Sequence, residues 1–182
     1  MVDMDTLATD QGVESTLRDE NVQAVFCALG TTRAVAGSAE GFKKVDLTYV
    51  ASAAQVAKKS GVEQFSLVSA TGANAGLWAS DWKLFHGLLY SKTKGLAEEA
   101  VKKQEFSFTT IVRPGLIDRK DKARGIEKLA LKVMPSISSD KIATVMIAEA
   151  LENIRKVGVG PDSGKPHVSV WSMDDLKKWS NA

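Results

Sequence analysis

Cysteine is nearly missing from this chain: Cys27 is the only one in 182 residues. That excludes an internal disulfide framework and sets the expectation of a reducing compartment, read here as the cytoplasm. Histidine is as scarce, with His86 and His167 alone, so no Cys/His metal centre is expected. An excess of one charge is also lacking. The chain has 24 basic and 22 acidic residues, a formal net charge of +2. Such a balance gives no footprint for nucleic acid or an anionic membrane. No apolar run approaches the ~18 residues of a membrane span, so no integral membrane segment is expected. The opening residues MVDMDTLATD hold three Asp and neither Lys nor Arg. They fit neither a secretory signal nor a basic transit peptide. No internal repeat or low-complexity stretch occurs.

What is present is an ordinary globular composition, 44% hydrophobic and 25% charged. Residues 1–182 read as one domain, long enough for a substantial core. Short apolar runs alternate with helical patterns, which points to α/β. Val22–Leu29, Gln64–Val68 and Phe106–Val112 read as buried strands, and Val168–Val170 as a short one. Ser38–Ser60 has Phe42, Val45, Tyr49, Ala53 and Val56 at helical spacing, with Gly61 as its stop. Further helices are expected over Leu84–Lys103, Ile126–Met134 and Lys141–Ile154, the last capped from Ser139-Asp140. A final one opens at Ser172, where Asp175 completes a capping box. Strands separated by helices imply parallel pairing with right-handed crossovers.

Four features fall at or near strand ends, where an open α/β sheet binds ligands. Leu29-Gly30-Thr31-Thr32-Arg33 offers small residues and backbone N–H groups for phosphates. Ser69 follows the strand QFSLV, and its hydroxyl is placed to address a substrate oxygen. Tyr90 and Lys94 stand four apart, one turn along a helix face. A nearby ammonium lowers a phenol's pKa from about 10, which suits proton exchange with a carbonyl or alcohol. Arg113-Pro114-Gly115 ends a strand with a fixed turn and a close backbone approach. Each alone also fits an ordinary loop or surface pair. Their order along the chain carries the reading.

That order resembles the short-chain dehydrogenase/reductase superfamily. VFCALGTTR, EGFKKVD-x-x-YV, LVSATGA, YSKTKG and IVRPGLIDR are similar to its atypical branch, typified by the Tat-interacting protein 2 oxidoreductase. The likeness runs from Val2 to Asn153. It implies a Rossmann-like parallel sheet flanked by helices, and NADP(H) ahead of NAD(H) as cofactor. It implies Tyr90 as acid/base, Lys94 on the nicotinamide ribose, and Ser69 orienting the substrate oxygen. Leu29, Gly30, Pro114, Gly115, Ile117 and Arg124 are implied as cofactor contacts. Implied partners are a small carbonyl or alcohol substrate, or a protein.

The family's Gly-rich pyrophosphate turn has no match. The sole G-x-G, Gly158-Val159-Gly160, runs into Pro161 and reads as loop. In the likeness Met1 falls at the family's third strand, so a truncated sheet lacking its first βαβ unit is expected. The strand at 22–29 then becomes an edge, covered by the N-terminal segment or by a second copy in a homodimer.

Overall fold

The computed structural model of the chain describes residues 2–78, 86–118, 136–157 and 165–179. After a 3₁₀ turn at Leu7–Thr9 comes helix α1 (Gln11–Asp19). Strand β1 (Ala24–Cys27) leads to α2 (Arg33–Ala36) and α3 (Ala39–Lys43). A π-helical stretch, Lys44–Thr48, joins α3 to α4 (Tyr49–Lys59). Then come β2 (Gln64–Val68), α5 (His86–Lys102), β3 (Phe108–Val112), β4 (Leu116–Asp118) and β5 (Ser136–Ser138). The described chain closes with α6 (Ser139–Lys156), β6 (His167–Trp171) and α7 (Met173–Trp179).

The four longer strands form one sheet in the order β1-β2-β3-β6, every pair parallel. This is the expected α/β architecture. β4 and β5 form a separate parallel ribbon that the sequence pattern did not announce, because three residues are too few to show a period. The long helix expected over 38–60 is real but changes winding at Lys44–Thr48. Gly61 ends it at φ +83°, a conformation that costs a side chain but not glycine. Ser172 and Asp175 make both bonds of a capping box. Ser138, not Ser139-Asp140, caps α6, accepting from the Lys141 N–H. The helix expected over Ile126–Met134 and the Gly158–Gly160 loop lie outside the described residues.

Each sheet face is filled differently. Phe65, Leu67, Phe106 and Cys27 pack under Val50, Ala54 and Ala57 of α4 and Ala97 and Val101 of α5. Phe65 and Phe106 stack at 5.1 Å, and full burial of side chains this size stabilises by about 1.5–3 kcal/mol each. Beneath α6 the seam is polar. Gln64 donates to Ser66 and Thr110 at 3.0 Å, and Asn153 of α6 donates to Gln64 at 3.0 Å. These fully paired groups fix the register of α6 on the sheet. A second apolar cluster, Val112, Ile137, Ile142, Val145, Met146 and Leu176, ties α6 and α7 to the strand ends.

The N-terminal segment does not cover β1. It lies on α4: Lys59 donates to the Ala8 carbonyl, and Ser60 to the Glu14 carbonyl. Asp5 receives the Tyr49 hydroxyl and pairs with Lys44 at 2.6 Å. Those two hydrogen bonds hold the Asp5 carboxyl below its ordinary pKa. β1 therefore stands at the sheet edge, with Phe26 46% exposed.

Candidate functional site

The site forms where β1, β2 and β3 end and α5 begins its second turn. Parallel strands deliver their C-terminal loops to one side of the sheet, so residues distant in sequence converge there. A cleft of about 340 Å³ is lined by Leu29, Gly30, Thr31, Asp46, Ser69, Tyr90, Lys94, Gly115 and Ile117, among others. It brings together the three residues expected to do chemistry and most of those expected to meet a cofactor. Pro114 is buried outside that lining, and its carbonyl accepts the Thr71 N–H. Arg124 lies outside the described residues.

Tyr90 is held by ring packing. It stacks on Phe42 of α3, with centroids 5.9 Å apart, beside Leu89 and Ala39. Lys94, one turn on, is almost wholly buried. Its ammonium lies 2.8 Å from Asp46 Oδ1, and the two side chains are 6% and 1% exposed. It also donates to the Leu29 carbonyl at 3.4 Å. Asp46 Oδ2 accepts the Thr31 N–H at 2.8 Å. Both carboxylate oxygens thus have a partner, Oδ1 the ammonium and Oδ2 the backbone N–H.

Two sequence expectations change here. One N–H of the LGTTR loop is already engaged, Thr31 giving its own to Asp46. Ser69 also has a prior commitment. Its hydroxyl donates to Glu98 Oε1 at 2.5 Å. Glu98 is 1% exposed and clamped by Arg113, Nε to Oε1 at 2.9 Å and Nη2 to Oε2 at 2.5 Å. This bond holds the Arg113 guanidinium above its ordinary pKa. With its proton on Glu98, Ser69 can accept from an alcohol but has no proton to give a carbonyl. Cys27, below the cleft, is kept a neutral thiol, since burial raises its pKa against the opposing pull of the Leu29 backbone bond and Lys94.

Asp46 and Glu98 were not singled out by sequence reasoning, although each leaves a signal. Asp46 stands four residues from both Phe42 and Val50, on the apolar stripe of its helix. Glu98 follows Tyr90 and Lys94 at the same spacing. A charge on a buried stripe needs a partner, and that need marks a site. Asp46 lies within the π-helical stretch Lys44–Thr48, and such windings are frequent at functional sites.

A family model described as NAD(P)H-binding matches residues 1–153. The chain belongs to that NAD(P)H-binding family. Protein HTATIP2 of Rattus norvegicus is 35% identical over 147 residues, 77% of this chain and 55% of the relative. Protein FMP52-1, mitochondrial, of Scheffersomyces stipitis is 42% identical over 108 residues, 59% of this chain and 44% of the relative. The chain thus spans about half the length of these relatives. Among solved structures, dTDP-4-dehydrorhamnose reductase of Bacillus anthracis in complex with NADP superposes with a TM-score of 0.59 at 9% identity. That match covers 96% of this chain and 68% of the reductase, and it shows a shared Rossmann-type fold.

The cytoplasmic expectation is overturned, since relatives from three yeasts carry mitochondrial names. One buried thiol reflects packing, not compartment, which is why it misled. Among the described residues, no helix is long and apolar enough to cross a membrane.

The residues present fit the nicotinamide–ribose end of a dinucleotide. Gly30 brings no side chain to the cleft, and Lys94 and Tyr90 line it together. No G-x-G-x-x-G turn for a pyrophosphate occurs in the 182 residues.

Proposed function

We infer that this NAD(P)H-binding chain carries the reactive half of an oxidoreductase site acting on a small carbonyl or alcohol. The observation supporting this is the convergence of Tyr90, Lys94, Ser69 and Gly30 on one cleft at the strand ends. The bound dinucleotide supplies or takes up the hydride. Tyr90, fixed by Phe42, gives or takes the proton at the substrate oxygen. Lys94, fixed by Asp46, holds the ribose. Ser69 accepts from the substrate when it is an alcohol. NADP(H) is taken ahead of NAD(H) on the family likeness; similar solved structures hold NADP or NAD.

The test is calorimetric titration with NADPH and NADH, followed by turnover on a panel of small carbonyls and alcohols. Tyr90→Phe should keep cofactor affinity and lower kcat by roughly 10²–10⁴-fold. Lys94→Ala should lose cofactor affinity. Equal turnover of wild type and Tyr90→Phe would remove the proton-transfer role.

The β1 edge favours a second reading, a protein-binding or regulatory module that pairs through that strand. Phe26 on the edge is half exposed, and an unpaired apolar edge invites a partner strand. Sedimentation velocity should then find a dimer that Phe26→Asp dissociates. A folded wild-type monomer at 100 µM (about the upper working range of such runs) would exclude the homodimer. No heat with either dinucleotide at millimolar concentration would favour this reading over the enzymatic one.

A further inference from the structure

We propose that Glu98 is a positioning residue that fixes Ser69 as a hydrogen-bond acceptor, and that Ser69 receives a substrate hydroxyl on the carbon next to the reacting carbonyl. The substrate class is then an α-hydroxy carbonyl compound; this rests on the oxidoreductase reading of the cleft. The support is a chain of bonds that runs one way. Arg113 donates to both oxygens of Glu98, through Nε at 2.9 Å and Nη2 at 2.5 Å. A carboxylate held so only accepts, and the Ser69 hydroxyl that meets Oε1 at 2.5 Å therefore donates. The serine is also held from its backbone, its N–H bonded to the Val112 carbonyl at 2.8 Å, and both Ser69 and Glu98 are buried. Glu98 is seated by α5, four residues past Lys94 and eight past Tyr90.

A serine has one hydroxyl proton, and this one is spent inside the protein. Toward the cleft that it lines, Ser69 is left with lone pairs. These suit neither a carbonyl oxygen nor the oxyanion formed from it, because both are acceptors too. A proton donor is required. Lys94, in the same cleft, gives its ammonium to Asp46 and the Leu29 carbonyl. The Tyr90 proton goes to the reacting oxygen. The donor therefore comes with the substrate. The cleft, about 340 Å³, also has to admit the nicotinamide, so that hydroxyl belongs close to the carbonyl, on the next carbon. In the reduction, a hydride supplied by the dinucleotide adds to the carbonyl carbon. The π pair of the C=O bond takes the Tyr90 proton, which water later restores. The products are a 1,2-diol and the oxidised dinucleotide, and the neighbouring hydroxyl keeps its proton throughout. A plain ketone leaves the Ser69 acceptor unpaired, and a buried polar group selects in that way.

Two matched pairs test this: hydroxyacetone with butanone, and α-hydroxyacetophenone with propiophenone. Each exchanges a hydroxyl for a methyl of nearly the same size. kcat/KM with NADPH is measured for wild type, Glu98→Gln and Ser69→Ala, and the hydroxy-to-methyl ratio is compared. A ratio does not depend on the fraction of protein folded, so a merely structural role for Glu98 leaves it unmoved. The wild-type ratio should exceed that of either variant by about tenfold or more. Binding gives a second readout. Calorimetry on the NADPH-loaded protein with the unreactive isosteres glycolamide and propionamide should show the same preference in wild type and its loss in both variants. Should Glu98→Gln not fold, Glu98→Asp, which keeps the charge but withdraws it from Ser69, takes its place. Equal ratios in all the proteins refute the roles of Ser69 and Glu98. Failure of wild type to reduce either hydroxy ketone refutes the substrate class. In both cases turnover of the methyl ketones leaves the oxidoreductase reading standing. If wild type neither binds NADPH nor reduces any of these ketones, that reading fails and the proposal with it.

Discussion

Asp46→Ala is expected to lower the stability of the folded chain by about 3–5 kcal/mol, among the largest effects of any single substitution here. The cause is Lys94, not the lost carboxylate. Its ammonium is buried, with Asp46 as its ion-pair partner and the Leu29 carbonyl 3.4 Å away. Removing the partner leaves a charge in a poorly solvated place, and that penalty exceeds the net worth of the pair. In a chain of this size the change corresponds to a melting point lower by roughly 10 °C. The double variant Asp46→Leu with Lys94→Met should recover most of the loss, because it removes both charges and keeps the volume. Thermal and urea melts of the three proteins measure this. A single-variant shift below about 1 kcal/mol would mean that water reaches Lys94, and the site would not be the dry pair described.

Stability and function are opposed at this pair. A Leu–Met replacement packs as well, yet the chain keeps two buried charges beside a cleft. Retaining a costly group where an apolar one would fold suggests selection for binding, not for folding. The same logic applies to Glu98. It is buried against Ser69 and Arg113, and it sets which way the serine proton points.

The parts of the fold legible in the sequence share one physical trait: their local pattern and their tertiary environment agree. QFSLV and FTTIV are unbroken apolar or β-branched runs, and they became the two central strands, buried on both faces. Gly61 and the Ser172–Asp175 box act through backbone groups a few residues away, so their chemistry is local. What escaped was set by distance or weak patterning. Helix α1 has no fully buried residue, and only Val13 and Leu17, four apart, mark its apolar side, too short a stripe to stand out. It is started by Asp10, whose carboxylate accepts from the Gly12 and Val13 N–H groups, and it rests on α4 through Arg18 and Ser60. Tyr90 and Lys94 could be nominated from spacing alone. Their partners Phe42 and Asp46 sit 48 residues earlier in each case, on a helix whose winding the sequence does not display.

Gly95→Ala should be more damaging than its chemistry suggests. Helical Gly→Ala ordinarily stabilises by about 0.5–1 kcal/mol. At Gly95, however, the new methyl carbon would lie 2.2 Å from the Ala75 nitrogen, 2.4 Å from the Asn74 carbonyl carbon and 2.7 Å from the Asn74 nitrogen. These are backbone atoms, so no side-chain rotation relieves the clash. Nor is that loop free to retreat. The Asn74 N–H is bonded to the Ser91 carbonyl on α5, and the Thr71 N–H to the Pro114 carbonyl. Either the loop breaks those bonds or α5 moves off the sheet, carrying Tyr90 and Lys94 with it. A loss of about 3 kcal/mol or more is expected, with weaker dinucleotide binding. Gly87→Ala on the same helix is the control, since its added carbon meets nothing within 4 Å and should leave stability unchanged or slightly raised. Paired thermal melts and NADPH titrations of the two variants separate a steric effect at the loop from a general response of α5. If both variants melt within about 1 kcal/mol of wild type, the close seating of the loop on Gly95 is wrong, and so is the rigid placement of Tyr90 that depends on it.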